Sequence, residues 1–200
     1  MNRIRVALAL FICVVTTLGG AQAVAAPVDQ ASWASLKKEV RLPNGIRLAY
    51  VEAGDPNGEP LLLLHGYTDS SRSFSPMVPY LGRYRLLIPD QRGHGAADAP
   101  ECCYRPSQFA YDAKLFMDAL GVQRAAVAGH SMGSMVAMAM AAEYPERVSA
   151  IALIGSTALA PVRPGVWLYE QVAALKFPLD RQSAFMRERH PSNQPTAVDP

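Results

Sequence analysis

Residues Gly129-His130-Ser131-Met132-Gly133 set one serine between two glycines, each two positions away. A serine hydroxyl becomes a useful nucleophile when the backbone lifts it clear of its surroundings and amide hydrogens await the charge that forms on attack. The spacing suits both needs. Residues 125–128 form a short apolar run that fits a buried strand, and Met132–Glu143, rich in alanine and methionine and closed by Tyr144-Pro145, fits a helix. A strand that turns straight into a helix at a serine forces that residue into a strained conformation, while the glycines let strand and helix approach closely. The Ser131 hydroxyl would then stand at a helix N-terminus, where unpaired amides and the helix dipole favour negative charge. The plainer alternative is a surface serine that caps a helix.

A tetrahedral oxyanion requires two donors, and the Met132 N–H after the serine supplies one. The second is expected from Tyr67. His65-Gly66-Tyr67 ends the apolar run 61–64 at the carboxyl edge of a strand, and Gly66 permits a sharp turn that would aim the Tyr67 N–H at the same point. A simple strand-to-loop turn is the competing reading.

The elements that must hold these residues alternate short apolar runs with longer amphipathic ones, the pattern of a mostly parallel sheet flanked by helices. Residues 38–42 and 46–51 flank Pro43-Asn44-Gly45, a hairpin whose asparagine and glycine tolerate positive φ. Residues 61–64 and 86–88 form uninterrupted apolar strands, with 125–128 and 149–154 as the third and fourth of this buried type. A helix is predicted over 106–120, with Pro106 in its first turn and Gly121 past its end.

Three ordered segments resemble the α/β-hydrolase superfamily in its esterase-like branch. They are Leu61-Leu62-Leu63-Leu64-His65-Gly66, Asp90-Gln91-Arg92-Gly93-His94-Gly95 and the serine motif, joined by Tyr144-Pro145-Glu146-Arg147-Val148. The resemblance implies an α/β-hydrolase core over 38–157 and makes Ser131 the nucleophile, with Gly129, His130 and Gly133 completing its elbow. It makes the 90–95 segment a structural turn, usually followed by a serine where this chain has Ala96 and Ala97. A further glycine often follows the elbow where this chain has Ser134. A serine at position 131 makes the chain unlike haloalkane dehalogenases and epoxide hydrolases, whose nucleophile is a carboxylate.

A serine at its own pKa needs a base, and the base needs an orienting carboxylate. In this fold the order along the chain is serine, acid, histidine. After Ser131 only His190 remains, in the polar, proline-broken segment 187–195, and Gly155-Ser156-Thr157 offers no carboxylate after the 149–154 strand. His65, His94 and His130 precede or adjoin the serine and fit turn or packing roles. The catalytic acid and histidine are therefore expected outside this chain, which would be an N-terminal portion, C-terminally truncated and inactive as it stands. Residues 158–200 carry Trp167, Tyr169, Leu175 and Phe177 among Pro161, Pro164 and Pro178, and they are expected to begin a helical cap or, alternatively, a loose amphipathic tail. In such a product 149–154 becomes an exposed apolar edge strand prone to pairing with other chains.

The first 26 residues look like an address label. Arg3 and Arg5 precede an apolar run over 6–18, too short to span a bilayer, and Ala21-Gln22-Ala23 and Val24-Ala25-Ala26 offer small-residue cleavage sites. A Sec-type signal peptide over 1–26 and a periplasmic or secreted product are expected, against the alternative of an uncleaved anchor. Those two arginines account for the formal charge of +2, so the remainder is neutral. Neutrality argues against a nucleic-acid or membrane-surface partner and for a small neutral or apolar substrate. No metal-ligand spacing is present, and neither a metal nor another cofactor is expected. Cys102 and Cys103 are expected as two small loop residues, with a vicinal or intermolecular disulfide as the lesser reading. The function these features favour is hydrolysis of an ester-like bond through an acyl-enzyme. Serine-dependent C–C hydrolysis, perhydrolysis and a non-catalytic binding fragment remain alternatives.

Overall fold

The computed structural model describes residues 30–156. In chain order these form helix α1 (Gln30–Ser35), strands β1 (Lys38–Arg41), β2 (Arg47–Gly54) and β3 (Pro60–Leu64), a 3₁₀ segment Ser71–Tyr80, and strand β4 (Arg85–Pro89). Helix α2 (Pro106–Ala119), strand β5 (Ala125–His130), helix α3 (Met132–Glu143), a 3₁₀ turn Pro145–Arg147 and strand β6 (Val148–Ile154) follow. The expected leader, the cap region and His190 lie outside the described residues. No helix among the described residues is long and apolar enough to cross a membrane.

Four consecutive leucines cannot alternate apolar with polar, so β3 must be covered on both faces. Leu62 and Leu64 pack with Phe109, Phe116, Val136 and Met140 beneath α2 and α3. Leu61 and Leu63 face the other way, against Trp33, Phe74, Leu86 and Ile88. Trp33 lies before the expected start of the core, yet it is buried and its indole N–H donates to Ser71 Oγ at 3.2 Å. The short helix carrying it has no sequence pattern long enough to betray its periodicity.

The sheet order is β1-β2-β4-β3-β5-β6. β4, β3, β5 and β6 run parallel, whereas β1 and β2 join antiparallel at one side. The chain leaves β3 toward β4 and leaves β5 toward β6, so the connections diverge between β3 and β5. In an open α/β sheet the crevice for a ligand forms outside the carboxyl ends of two such strands.

Several local expectations need correction. The hairpin closes with Gly45 N–H on Leu42 O at 2.9 Å, but only Gly45 takes a positive φ, of 86°. Asn44 acts through its side chain, accepting from the Ile46 N–H and donating to Asp112 at 2.7 Å. β2 runs three residues beyond its expected end because Glu52 pairs with Arg85 and Lys38 on either side. β6, of the buried type by its sequence but expected as an exposed edge in an N-terminal portion, lies at the sheet edge of the described residues with most side chains exposed. Cys102 and Cys103, expected as two unpaired loop residues, are joined as a vicinal disulfide; Cys103 sits at φ 75° and the neighbouring sulfurs meet.

Candidate active site

β5 ends at His130 and α3 begins at Met132, leaving Ser131 as the entire turn. Its backbone adopts φ 50° and ψ −113°, a combination that costs about 1–3 kcal/mol and persists only where neighbours enforce it. Those neighbours are identifiable. The Ser131 N–H donates to Ile154 O at 2.9 Å, fixing the turn to the end of β6. Its carbonyl accepts two bonds from Ser134, from the backbone N–H at 3.0 Å and from Oγ at 2.6 Å. A Cβ on Gly129 would stand 2.1 Å from Gly133 O, and one on Gly133 would stand 2.0 Å from Leu64 O. The two glycines are what allow α3 to press against both β5 and β3.

Ser131 is exposed, and the turn after β3 lies against it. A Cβ on Gly66 would come within 3.3 Å of Ser131 Cβ and 3.1 Å of His130 Nδ1. Gly66 is thus brought beside the serine. Met132 opens α3, and the first amides of a helix lack intrahelical acceptors. Ser131 and Met132 after β5 and Gly66 after β3 therefore lie together at the carboxyl ends of the two strands.

The described histidines are engaged elsewhere. His65 is fully buried; its Nδ1 lies 2.8 Å from Gly66 O, and its Nε2 accepts the Gln91 N–H at 3.0 Å. Burial, reinforced by the neighbouring His94 ring, pushes its pKa down to about 4, so the ring is neutral near pH 7. His94 packs edge-on against His65 and Tyr67 and its Nδ1 sits 2.8 Å from Arg92 O. Burial lowers its pKa too, partly opposed by that carbonyl. The His130 ring packs between Gly66 and Gly155. Among the described residues no histidine hydrogen-bonds a carboxylate or Ser131. His190 lies outside them.

The turn after β4 is built on Asp90. Its buried carboxylate accepts the Ser71 and Ala96 N–H groups at 2.8 Å and meets Lys37 Nζ at 2.5 Å. Burial alone would raise its pKa, but these donors outweigh burial and the pKa is lowered. Ala96 contributes through its backbone N–H, a bond that does not depend on its side chain. Arg92, also buried, forks onto both Asp112 oxygens and donates to Cys103 O.

Two site residues escaped sequence reasoning. Ser134 was noticed only as a departure from a glycine, whereas its buried hydroxyl ties down the strained Ser131 carbonyl. Gln91 clamps the β3 turn, its side-chain amide donating to His65 O at 2.8 Å. A polar residue set beside motif residues that must pack closely was the available signal in both cases.

A doubly wound sheet with a strained serine at its switch point defines a hydrolase-like class. The α/β-hydrolase fold family model matches residues 59–199, and the chain belongs to that family. Epoxide hydrolase A of Mycobacterium tuberculosis is 34% identical over 120 residues, covering 58% of this chain and 37% of its own length. Lipase 3 of a Moraxella species is 34% identical over 119 residues, covering 58% of this chain and 38% of its own. A hydrolase from Pseudomonas aeruginosa superposes with a TM-score of 0.66 at 27% identity, over 75% of this chain and 57% of that one. The chain thus spans well under two thirds of these relatives.

Proposed function

We propose that Ser131 is the nucleophile of a serine hydrolase that cleaves an ester-like bond of a small neutral or apolar substrate through an acyl-enzyme. The carrying observation is the enforced φ of 50° at Ser131, in a turn packed against Gly66. Such a turn exposes Oγ and brings the Met132 and Tyr67 amides near the developing alkoxide. Among the named relatives the reading favours the lipase over the epoxide hydrolase, because position 131 holds a hydroxyl and not a carboxylate. The acid and base are assigned outside residues 30–156, and the 200-residue chain is proposed to be inactive by itself. Residues 1–26 are proposed to direct export to the periplasm or beyond.

Fluorophosphonate labelling with site-resolved mass spectrometry tests this. Slow adduct formation on Ser131, absent in Ser131→Ala, is the expected result for the 200-residue chain. Equal labelling in Ser131→Ala overturns the nucleophile assignment, and labelling of Ser131 within seconds overturns the proposed inactivity.

A further inference from the structure

We infer that His65 is a positioning residue: its Nδ1–H holds the Gly66 carbonyl and so aims the Tyr67 N–H of the same peptide at the point beside Ser131 where the oxyanion forms. The inference rests on the reading of Ser131 as nucleophile. A trans peptide is planar, with its C=O and N–H pointing opposite ways, and the described residues contain no cis bond. Fixing the Gly66 oxygen therefore fixes the direction of the Tyr67 hydrogen. Gly66 has no side chain to hold it; a Cβ there would press on His130 and Ser131. Some other group must choose its peptide orientation.

The ring of His65 is suited to that task because its tautomer is chosen for it. The Gln91 N–H points at Nε2 at 3.0 Å, so Nε2 must be the unprotonated acceptor and Nδ1 must carry the hydrogen. That hydrogen meets Gly66 O at 2.8 Å. Gln91 Nε2 holds the His65 carbonyl from the other side at 2.8 Å, leaving the residue little freedom to turn. Full burial keeps the ring neutral, so the arrangement survives across the physiological range. The polar groups around the ring are accounted for by Gln91, Gly66, the His94 ring, Asp69 and Asp90. The mechanism itself makes no other use of this histidine.

Two substitutions separate the two nitrogens. Asparagine places an amide nitrogen near the Nδ1 position and keeps the donor to Gly66; glutamine reaches the Nε2 position and keeps the acceptor for Gln91. Both lose one buried bond, so His65→Asn and His65→Gln should melt at similar temperatures. The rate of Ser131 labelling by fluorophosphonate should differ: His65→Gln should fall about 10²-fold, the effect of losing one oxyanion donor, while His65→Asn stays within about threefold of the parent. Equal slowing in both variants reduces His65 to a packing residue and overturns the inference. Nitrogen-15 spectra of the imidazole give an independent readout, with Nδ1 protonated and Nε2 bare between pH 5.5 and 8 on the order expected for this tautomer. The opposite tautomer overturns the inference whatever the labelling shows. If the parent shows no labelling at Ser131, the nucleophile reading fails. The His65 inference is then decided by the imidazole spectrum and by whether the Tyr67 amide resonance moves in His65→Gln but not in His65→Asn.

Discussion

Replacing Gly133 by alanine sets two physical effects against each other, and the sign of the result tells which one governs. Gly133 is the second residue of α3, where alanine is the better helix former by up to about 1 kcal/mol. Helix propensity alone predicts stabilisation. The new methyl, however, would lie 2.0 Å from Leu64 O, 2.6 Å from Leu64 C and 2.8 Å from His65 O. All three are backbone atoms of β3 or its turn, and β3 is locked between β4 and β5, with Leu64 registered on Gly129. α3 must back away from the sheet, an overpacking cost of about 1–3 kcal/mol or somewhat more, since no side chain can yield. The expected net loss is about 2 kcal/mol, read as a melting temperature lower by about 4–8 °C. Gly82→Ala is the control, because nothing lies within 4 Å of a Cβ there and its φ is ordinary. It should match the parent or exceed it slightly. Urea and thermal unfolding followed by circular dichroism at low protein concentration measure both. A Gly133→Ala protein as stable as the parent would refute the close packing of α3 on β3, and with it the argument for the bend at Ser131.

Acid should destabilise the fold before the carboxylates titrate. His65 is held neutral with a pKa of about 4 against 6.5 unfolded, so its stabilisation is intact above pH 6.5 and is lost as pH falls toward 4. The loss approaches about 3 kcal/mol at ~1.4 kcal/mol per tenfold change in proton affinity. His94, lowered in the same direction, adds to it, and Asp90, also lowered, contributes only at still lower pH. Urea midpoints that do not change between pH 7 and 4.5 would contradict this, as would an unchanged slope in His65→Asn. Asp112→Ala should cost about 3–5 kcal/mol, because the Arg92 guanidinium is then left buried without its carboxylate; an unfolding free energy within about 1 kcal/mol of the parent would show the pair to be idle. β6 is an edge strand among the described residues, so self-association through it should grow with concentration, and Ala152→Lys on that edge should suppress this. Light scattering that reports a monomer at every concentration would argue otherwise.

The parts of this structure that were legible in the residues are those where a local rule is strong. Uninterrupted leucines at 61–64 announce a strand covered twice, and Pro106 and Gly121 bracket α2 within a residue of its observed end. The bend at Ser131 was legible from glycine spacing between an apolar run and a helix, because few other sequences let strand and helix touch. Tertiary arrangement hid the rest. That Trp33 belongs to the core depends on Ser71–Tyr80 folding beneath it, and two internal prolines disguise that segment as loop. The direction of Ser134 Oγ and the tautomer of His65 depend on partners three and twenty-six residues away. The Cys102–Cys103 pairing hinges on one left-handed residue that no composition argument singles out.

The central claim is that the Met132 and Tyr67 amides together face the point beside Ser131 Oγ where the oxyanion would form. A crystal structure of the protein soaked with a phenylboronic acid measures this directly, since boron bonded to Oγ presents a tetrahedral oxygen where the oxyanion would form. The account predicts that oxygen at about 2.7–3.1 Å from both amide nitrogens, with Ser131 still at positive φ. A Ser131 relaxed into ordinary helical geometry, or a boronate oxygen touching neither amide, would contradict it.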